Sequence, residues 1–220
     1  MGIDQIAIVA LGALAGGFVS GLAGFGTGLM AMGIWLHAVP PAIAASLVVI
    51  CSVVSQLQTI PAVWHAIRPR RVLPFIIPGL VGVPIGTLLL AHVDPAAFRF
   101  GMGVLLLGFS TFLLACGARL KLAWGGRIAD SAVGLASGIL GGLAGLSGVL
   151  PTMLAALVSH ALAGRLTAAV GWATFAALPG TLAGAWLGAS LYRRLSDRRF
   201  HDVILVLLAL SGLTLVWTGR

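Results

Sequence analysis

From residue 5 to residue 67 the chain carries no aspartate, glutamate, lysine or arginine. The same holds for residues 72–93, 100–118, 131–164, 166–192 and 203–219. A helix that crosses a bilayer needs about 20 mostly apolar residues, and each window is close to that length or longer. In hydrocarbon every backbone N–H and C=O must be satisfied internally, so such windows are read as helices. A soluble globule covers its surface with roughly a quarter charged residues, whereas this chain of 220 residues has 8% charged and 60% apolar. Its abundance of leucine, alanine and valine also excludes disorder. The expected fold is an all-α, polytopic transmembrane bundle of about 7–9 membrane segments.

The net charge of +8 is confined to short clusters between the windows: Arg68, Arg70 and Arg71; Arg119, Lys121 and Arg127; and Arg193, Arg194, Arg198 and Arg199. Cationic residues in short loops mark the cytoplasmic side of a membrane protein. A nucleic-acid binder would instead spread them over a folded polar face, so no nucleic-acid partner is expected. Placing the three clusters on one side gives about seven net crossings. Cys51 and Cys116 both fall in apolar windows and read as small packing residues without a disulfide. Met1-Gly2-Ile3-Asp4-Gln5 lacks the basic start of a cleaved signal peptide, so the first helix is expected to be retained.

Prolines and glycines divide the windows into helical segments near 5–24, 26–37, 42–64, 72–92, 98–117, 130–146, 149–161, 166–191 and 200–218. Segments 26–37 and 149–161 are too short, at roughly 18–20 Å, to cross about 30 Å of hydrocarbon, and read as half-helices. The chain also repeats itself. Gly21-Leu22-Ala23-Gly24-Phe25-Gly26 aligns with Gly142-Leu143-Ala144-Gly145-Leu146-Ser147 at an offset of 121. Pro78-Gly79 aligns with Pro179-Gly180 at an offset of 101, and Phe98 with Phe200 at 102. Two pseudo-repeats are expected, residues 1–124 and 125–220, the second shortened by about one helix. Internal duplication is typical of transporters, whose binding site lies where the repeats meet.

The glycine runs carry the chemistry. Gly17, Gly21, Gly134 and Gly138 stand four apart, the spacing that lets helices approach closely in lipid. Gly24-x-Gly26-x-Gly28 does not form one helical stripe and suits an elbow between two helices. A short helix starting at an elbow aims its unpaired N–H groups and the positive end of its dipole at whatever sits there, an anion site without a buried cation. The candidate substrate residues are Ser20, Gly24, Gly26, Thr27 and Gly28 in the first half, and Gly145, Ser147 and Gly148 in the second.

These paired elbows resemble those of the TauE/SafE sulfite exporter family of anion permeases. So do the small-residue helix starts Ala44-Ala45-Ser46 and Ala169-Val170-Gly171, and the stretch from Gly180 through Leu191-Tyr192-Arg193-Arg194-Leu195-Ser196-Asp197. The resemblance runs over nearly the whole chain. It implies movement of sulfite, a sulfonate, sulfoacetate, thiosulfate or a related small oxyanion across a bacterial inner membrane, without a cofactor. Trp172 stands where a hydroxyl residue is usual in that family. The expected partners are a small anionic substrate and the lipid bilayer, and a homo-oligomer is compatible with the sequence.

Other polar residues are sparse. The chain has no glutamate, and Asp4, Asp94, Asp130, Asp197 and Asp202 all lie at segment edges, so a carboxylate proton relay has no evident members. Ser46, Gln56, Gln58, His160 and Trp172 are weaker pathway or gating candidates. The two glutamines, in an apolar helix, must find partners or face a cavity, and His160 is the best candidate for a titrating gate. His37, His65, His92 and His201 read as interfacial. Trp35, Trp64, Trp124 and Trp217 read as interfacial anchors, and Trp172 and Trp186 as deeper packing residues. Two rival readings stand beside the permease. Gly145-Leu146-Ser147-Gly148 resembles the nucleophile turn of rhomboid proteases, which requires a histidine within hydrogen-bond reach of the serine; a membrane scaffold would need no duplicated polar elbow. No His/Cys/Asp group has metal-ligand spacing.

Overall fold

A computed structural model describes residues 2–23, 26–63, 69–116, 126–147, 149–192 and 213. Helix is the only regular structure among them: α1 (Ile3–Ala23), α2 (Thr27–Trp35), α3 (Pro41–Val63), α4 (Pro69–Leu89), α5 (Pro95–Cys116), α6 (Arg127–Ala144), α7 (Leu150–Leu162) and α8 (Ala168–Tyr192). Five of these, α1, α3, α4, α5 and α8, are long and apolar enough to cross a membrane. Expected segment 200–218 lies outside the described residues except for residue 213, as do the three arginine clusters apart from Arg70, Arg71 and Arg127.

Helices α4, α5 and α6 each begin three residues before the apolar windows suggest. Proline opens α3, α4 and α5 at the first helical position, where its missing N–H would have no partner in any case. Asp94 then caps α5, its carboxylate accepting from the backbone N–H of Ala96 at 2.9 Å and Ala97 at 3.1 Å. Apolarity thus marks where the hydrocarbon begins, whereas the caps mark where the helix begins.

Helix association in lipid gains nothing from the hydrophobic effect and depends on close van der Waals packing. The glycines supply it along two long seams. Helix α1 runs along α8, and α4 runs along α6. On the first seam Gly17 and Gly21 lie against the backbone of Thr181 and Ala185, while Gly180, Gly184 and Gly188 face Ala10, Leu14 and Phe18. On the second, Gly79, Gly82 and Gly86 interleave with Gly134, Gly138 and Gly142. A methyl group at Gly180 would come within 2.7 Å of the Ala10 carbonyl oxygen, and one at Gly82 within 2.8 Å of the Ile139 nitrogen. Residue types larger than glycine would force both seams apart. The packing expected of Gly17, Gly21, Gly134 and Gly138 is what they do.

Helix α3 occupies the middle and packs against α1, α2, α6, α7 and α8. Two-thirds of its membrane span is buried, 67% against 28–44% for the other four spans. Short α2 is fixed by Trp35, which is fully buried and donates its indole N–H to the Val9 carbonyl at 2.9 Å, its ring lying over Gly12. Trp35 is therefore a clamp between α2 and α1 and not the interfacial anchor expected from its position near a segment end. Trp172 and Trp186 depart from expectation in the other direction: at 72% and 64% exposure they stand on the outer face of α8, where lipid accommodates large apolar rings. Trp64, Trp124 and Trp217 lie outside the described residues.

Candidate functional site

The chain leaves α1 at Ala23 and resumes helix at Thr27, and Gly26 caps that restart with φ 98° and ψ 6°, a left-handed conformation that costs other L-residues about 1–2 kcal/mol. No side chain caps α2. The first backbone bond back to the elbow comes from Met30 N–H to the Gly26 carbonyl at 3.2 Å, so the N–H groups of residues 26–29 find no partner within the helix. The second break differs. Gly145 (φ 68°) closes α6, its N–H bonding Gly141 at 2.9 Å and the Leu146 N–H bonding Leu140 at 3.3 Å, a left-handed glycine C-cap. Helix α7 starts at Leu150 with Pro151 in its first turn.

The two breaks meet. A methyl group at Gly28 would lie 2.9 Å from Leu146 Cδ2 and 3.1 Å from the Gly145 carbonyl oxygen. Val48 of α3 wedges against both glycines. Beside this junction lies a small cavity of about 20 Å³, lined by Ser20, Gly26, Thr27, Gly28, Leu29, Ser52, Gln56, Gly145, Leu146 and Ser147. It thus gathers the start of α2, one face of α3 and the α6–α7 turn. Ser20, Thr27 and Ser52 are nearly fully buried, at 1%, 2% and 4% exposure. Their hydroxyls make no hydrogen bond among the described residues, so the site presents donors that a ligand would satisfy.

Seven of the sequence-derived residues line this cavity: Ser20, Gly26, Thr27, Gly28, Gln56, Gly145 and Ser147. The Ser147 hydroxyl is bonded to that of Thr152, which in turn donates to the Val149 carbonyl at 2.7 Å. A hydroxyl has one hydrogen, so Ser147 donates its own to Thr152 and faces the cavity as an acceptor. Gly24 and Gly148 lie outside the described residues. Gln58 is exposed on α3, and Trp172 is on the lipid-facing side of α8; neither lines the cavity. Ser52 was missed, although it lies four residues before Gln56 and therefore on the same helical face. Leu29 and Leu146 were missed as well, and their apolar side chains gave no signal.

Ser46 and His160 meet each other instead of the cavity. His160 is fully buried; its Nδ1 lies 2.9 Å from Ser46 Oγ and its Nε2 2.9 Å from the Gly142 carbonyl oxygen. A carbonyl only accepts, so Nε2 carries a proton, and in the neutral ring Nδ1 accepts from the Ser46 hydroxyl, for whose one hydrogen the Ala42 carbonyl at 3.0 Å competes. This links α7 to α3 and to the last turn of α6, just ahead of Gly145. Thr87 also reaches the Gly142 carbonyl, at 3.4 Å, and Arg165 donates to the Thr87 carbonyl at 2.8 Å near the C-terminal end of α4, where a cation complements the helix dipole. No Ser147–His160 hydrogen bond of the kind a serine hydrolase uses occurs, since both side chains are committed elsewhere. Among the described residues no three His, Cys, Asp or Glu side chains gather into a metal site.

No curated protein and no solved structure matches the chain. The family model described as sulfite exporter TauE/SafE matches residues 8–155, a span that includes both elbows, all of α3 and every residue of the cavity. With its apolar helices and a match over more than half its length, the chain is a multi-pass membrane protein that belongs to the TauE/SafE sulfite exporter family, a family of membrane transporters.

Proposed function

We propose that the chain is a permease for a small sulfur-containing oxyanion, and that the anion sits in the elbow cavity. The observation that carries this reading is the convergence of an uncapped α2 N-terminus with the hydroxyls of Ser20, Thr27 and Ser52, unbonded among the described residues, around one small cavity. The N–H groups of Gly26 to Leu29 and these hydroxyls hold the oxygens, and the positive end of the α2 dipole offsets the charge. Gly145, Leu146 and Ser147 form the opposite wall. Sulfite, sulfonates, sulfoacetate and thiosulfate are the candidate cargoes by family, and a bacterial inner membrane is the candidate location.

Residues 1–124 and 125–220 act in this reading as two pseudo-repeats. The crossed seams support it, since the first helix of each half packs on the Pro-Gly helix of the other: α1 on α8 and α6 on α4. Helix α3 has no counterpart between α7 and α8, in keeping with a second half about one helix shorter. Rocking of one half against the other around α3 would open the cavity to each side in turn. The test is uptake of radiolabelled sulfite into proteoliposomes, competed by methanesulfonate, thiosulfate, sulfoacetate and acetate. Saturable sulfite uptake inhibited by at least one sulfur oxyanion is the expected result; its absence from folded, inserted protein would overturn the reading.

A further inference from the structure

The cavity that would take the oxyanion contains no charge of its own. None of the ten described residues that line it is ionisable. The surrounding chain is equally bare: residues 5–67 and 131–164, which supply α1 beyond its first residues, α2, α3, most of α6 and α7, contain no Asp, Glu, Lys or Arg, and nor do residues 166–192 of α8. Of the histidines in these stretches, His37 is exposed after the end of α2, His160 is held by Ser46 and Gly142, and His65 lies outside the described residues. Of the described cations on flanking segments, Arg99 on α5 is not among the lining residues and Arg165 is committed to the Thr87 carbonyl.

Compensation for a bound anion therefore comes from the α2 N-terminus, equivalent to roughly half an elementary charge, and from neutral donors. The cost of moving an ion into a medium of low dielectric constant rises with the square of its charge. A monoanion is left with about half a charge unmatched, a dianion with about one and a half. The hydroxyls of Ser20, Thr27 and Ser52 can also accept, so the acidic proton of a partly protonated oxyanion has somewhere to go. We infer that the site selects by charge: it takes monoanions of the type XSO3⁻ and rejects dianions, so that sulfite crosses as hydrogensulfite and sulfate does not cross. This rests on the permease reading above and narrows it: of the candidate cargoes it keeps hydrogensulfite and simple sulfonates and drops thiosulfate and sulfoacetate, which are dianions near neutral pH.

The test measures flux of sulfite, methanesulfonate and sulfate into proteoliposomes at fixed total concentration, with equal pH on both faces, across the second dissociation of sulfurous acid. Methanesulfonate stays a monoanion throughout and sulfate a dianion. Sulfite flux is expected to fall by about tenfold per pH unit above that dissociation, while methanesulfonate flux stays level and sulfate neither moves nor competes. A methanesulfonate flux that falls in step with sulfite would place the titration on the protein and overturn the inference. Saturable sulfate flux would also overturn it, while leaving the permease intact. No flux of any of the three would remove the permease reading, and this one with it.

Discussion

The two elbows align in sequence, yet their described residues are built differently. In the first, the left-handed residue is Gly26, placed immediately before α2, so the new helix starts at the bend and turns its unpaired N–H groups into the cavity. In the second, the left-handed residue is Gly145, placed immediately after α6, so the bend closes the old helix and its donors are spent on α6 carbonyls. The counterpart of Gly26 is Ser147, which has a side chain and avoids the left-handed region. Gly145 is left-handed there and α7 does not begin until Leu150, while Gly24, the counterpart of Gly145, lies outside the described residues. Helix α7 also starts without a side-chain cap, but its first residues are not among the described lining, so the cavity takes a helix start from α2 and a turn from the α6–α7 break.

The largest expected effect comes from separating the elbows. Gly28→Leu would drive into Val48, Leu146 and the Gly145 carbonyl, and sulfite flux is expected to fall by about a hundredfold or more while membrane insertion is kept. Near-normal flux from that variant would mean the junction is not part of the pathway. Next come the two left-handed glycines. Gly145→Ala combines backbone strain of about 1–2 kcal/mol with overlap on Val48 worth about 1–3 kcal/mol more. Gly26→Ala meets only Val19 Cγ1 at 3.1 Å and carries mainly the strain. Thermal unfolding in detergent should rank Gly145→Ala as the less stable, and the reverse order would contradict the packing described for Val48.

A finer contrast lies in the hydroxyls. Ser52→Ala removes an unbonded donor from the cavity, so KM is expected to rise by about fivefold to tenfold with the melting temperature unchanged, a loss of about 1 kcal/mol in binding. Ser147→Ala removes a bond to Thr152 and should cost about 1 kcal/mol of stability with little change in KM. Equal KM effects would erase the distinction between donor elbow and wall. The smallest effects are expected outside the site: Trp172→Ala and Gln58→Ala should leave flux within about twofold, because both side chains are exposed away from the cavity.

Much of the architecture was legible because the bilayer restricts the options so severely. Charge-free windows could only be helices, and Pro40-Pro41, Pro69 and Asp94-Pro95 could only be their boundaries. Glycines four apart on long segments had to be seams, and they are. Glycine at alternate positions had to be a bend, and Gly26 is left-handed. Most of the cavity was named in advance for the same reason, since an elbow before a short helix leaves donors with nowhere else to go.

The sequence by itself thus determined the class of fold, the helix seams and the two breaks, all of which follow from local chemistry and the cost of unsatisfied backbone in lipid. Only the tertiary structure decided which polar side chains share a space. Gln56 and Gln58 look alike along the chain, but one turns to the cavity and the other to the outside, because α3 is buried on most but not all of its circumference. Ser46 and His160, distant in sequence, satisfy each other, whereas Ser52 is left facing the cavity. Trp35 became a buried clamp and Trp172 a lipid-facing ring for a like reason. Which face of a nearly uniform apolar helix points inward is set by the neighbours that pack on it, and no local pattern in such a helix records them.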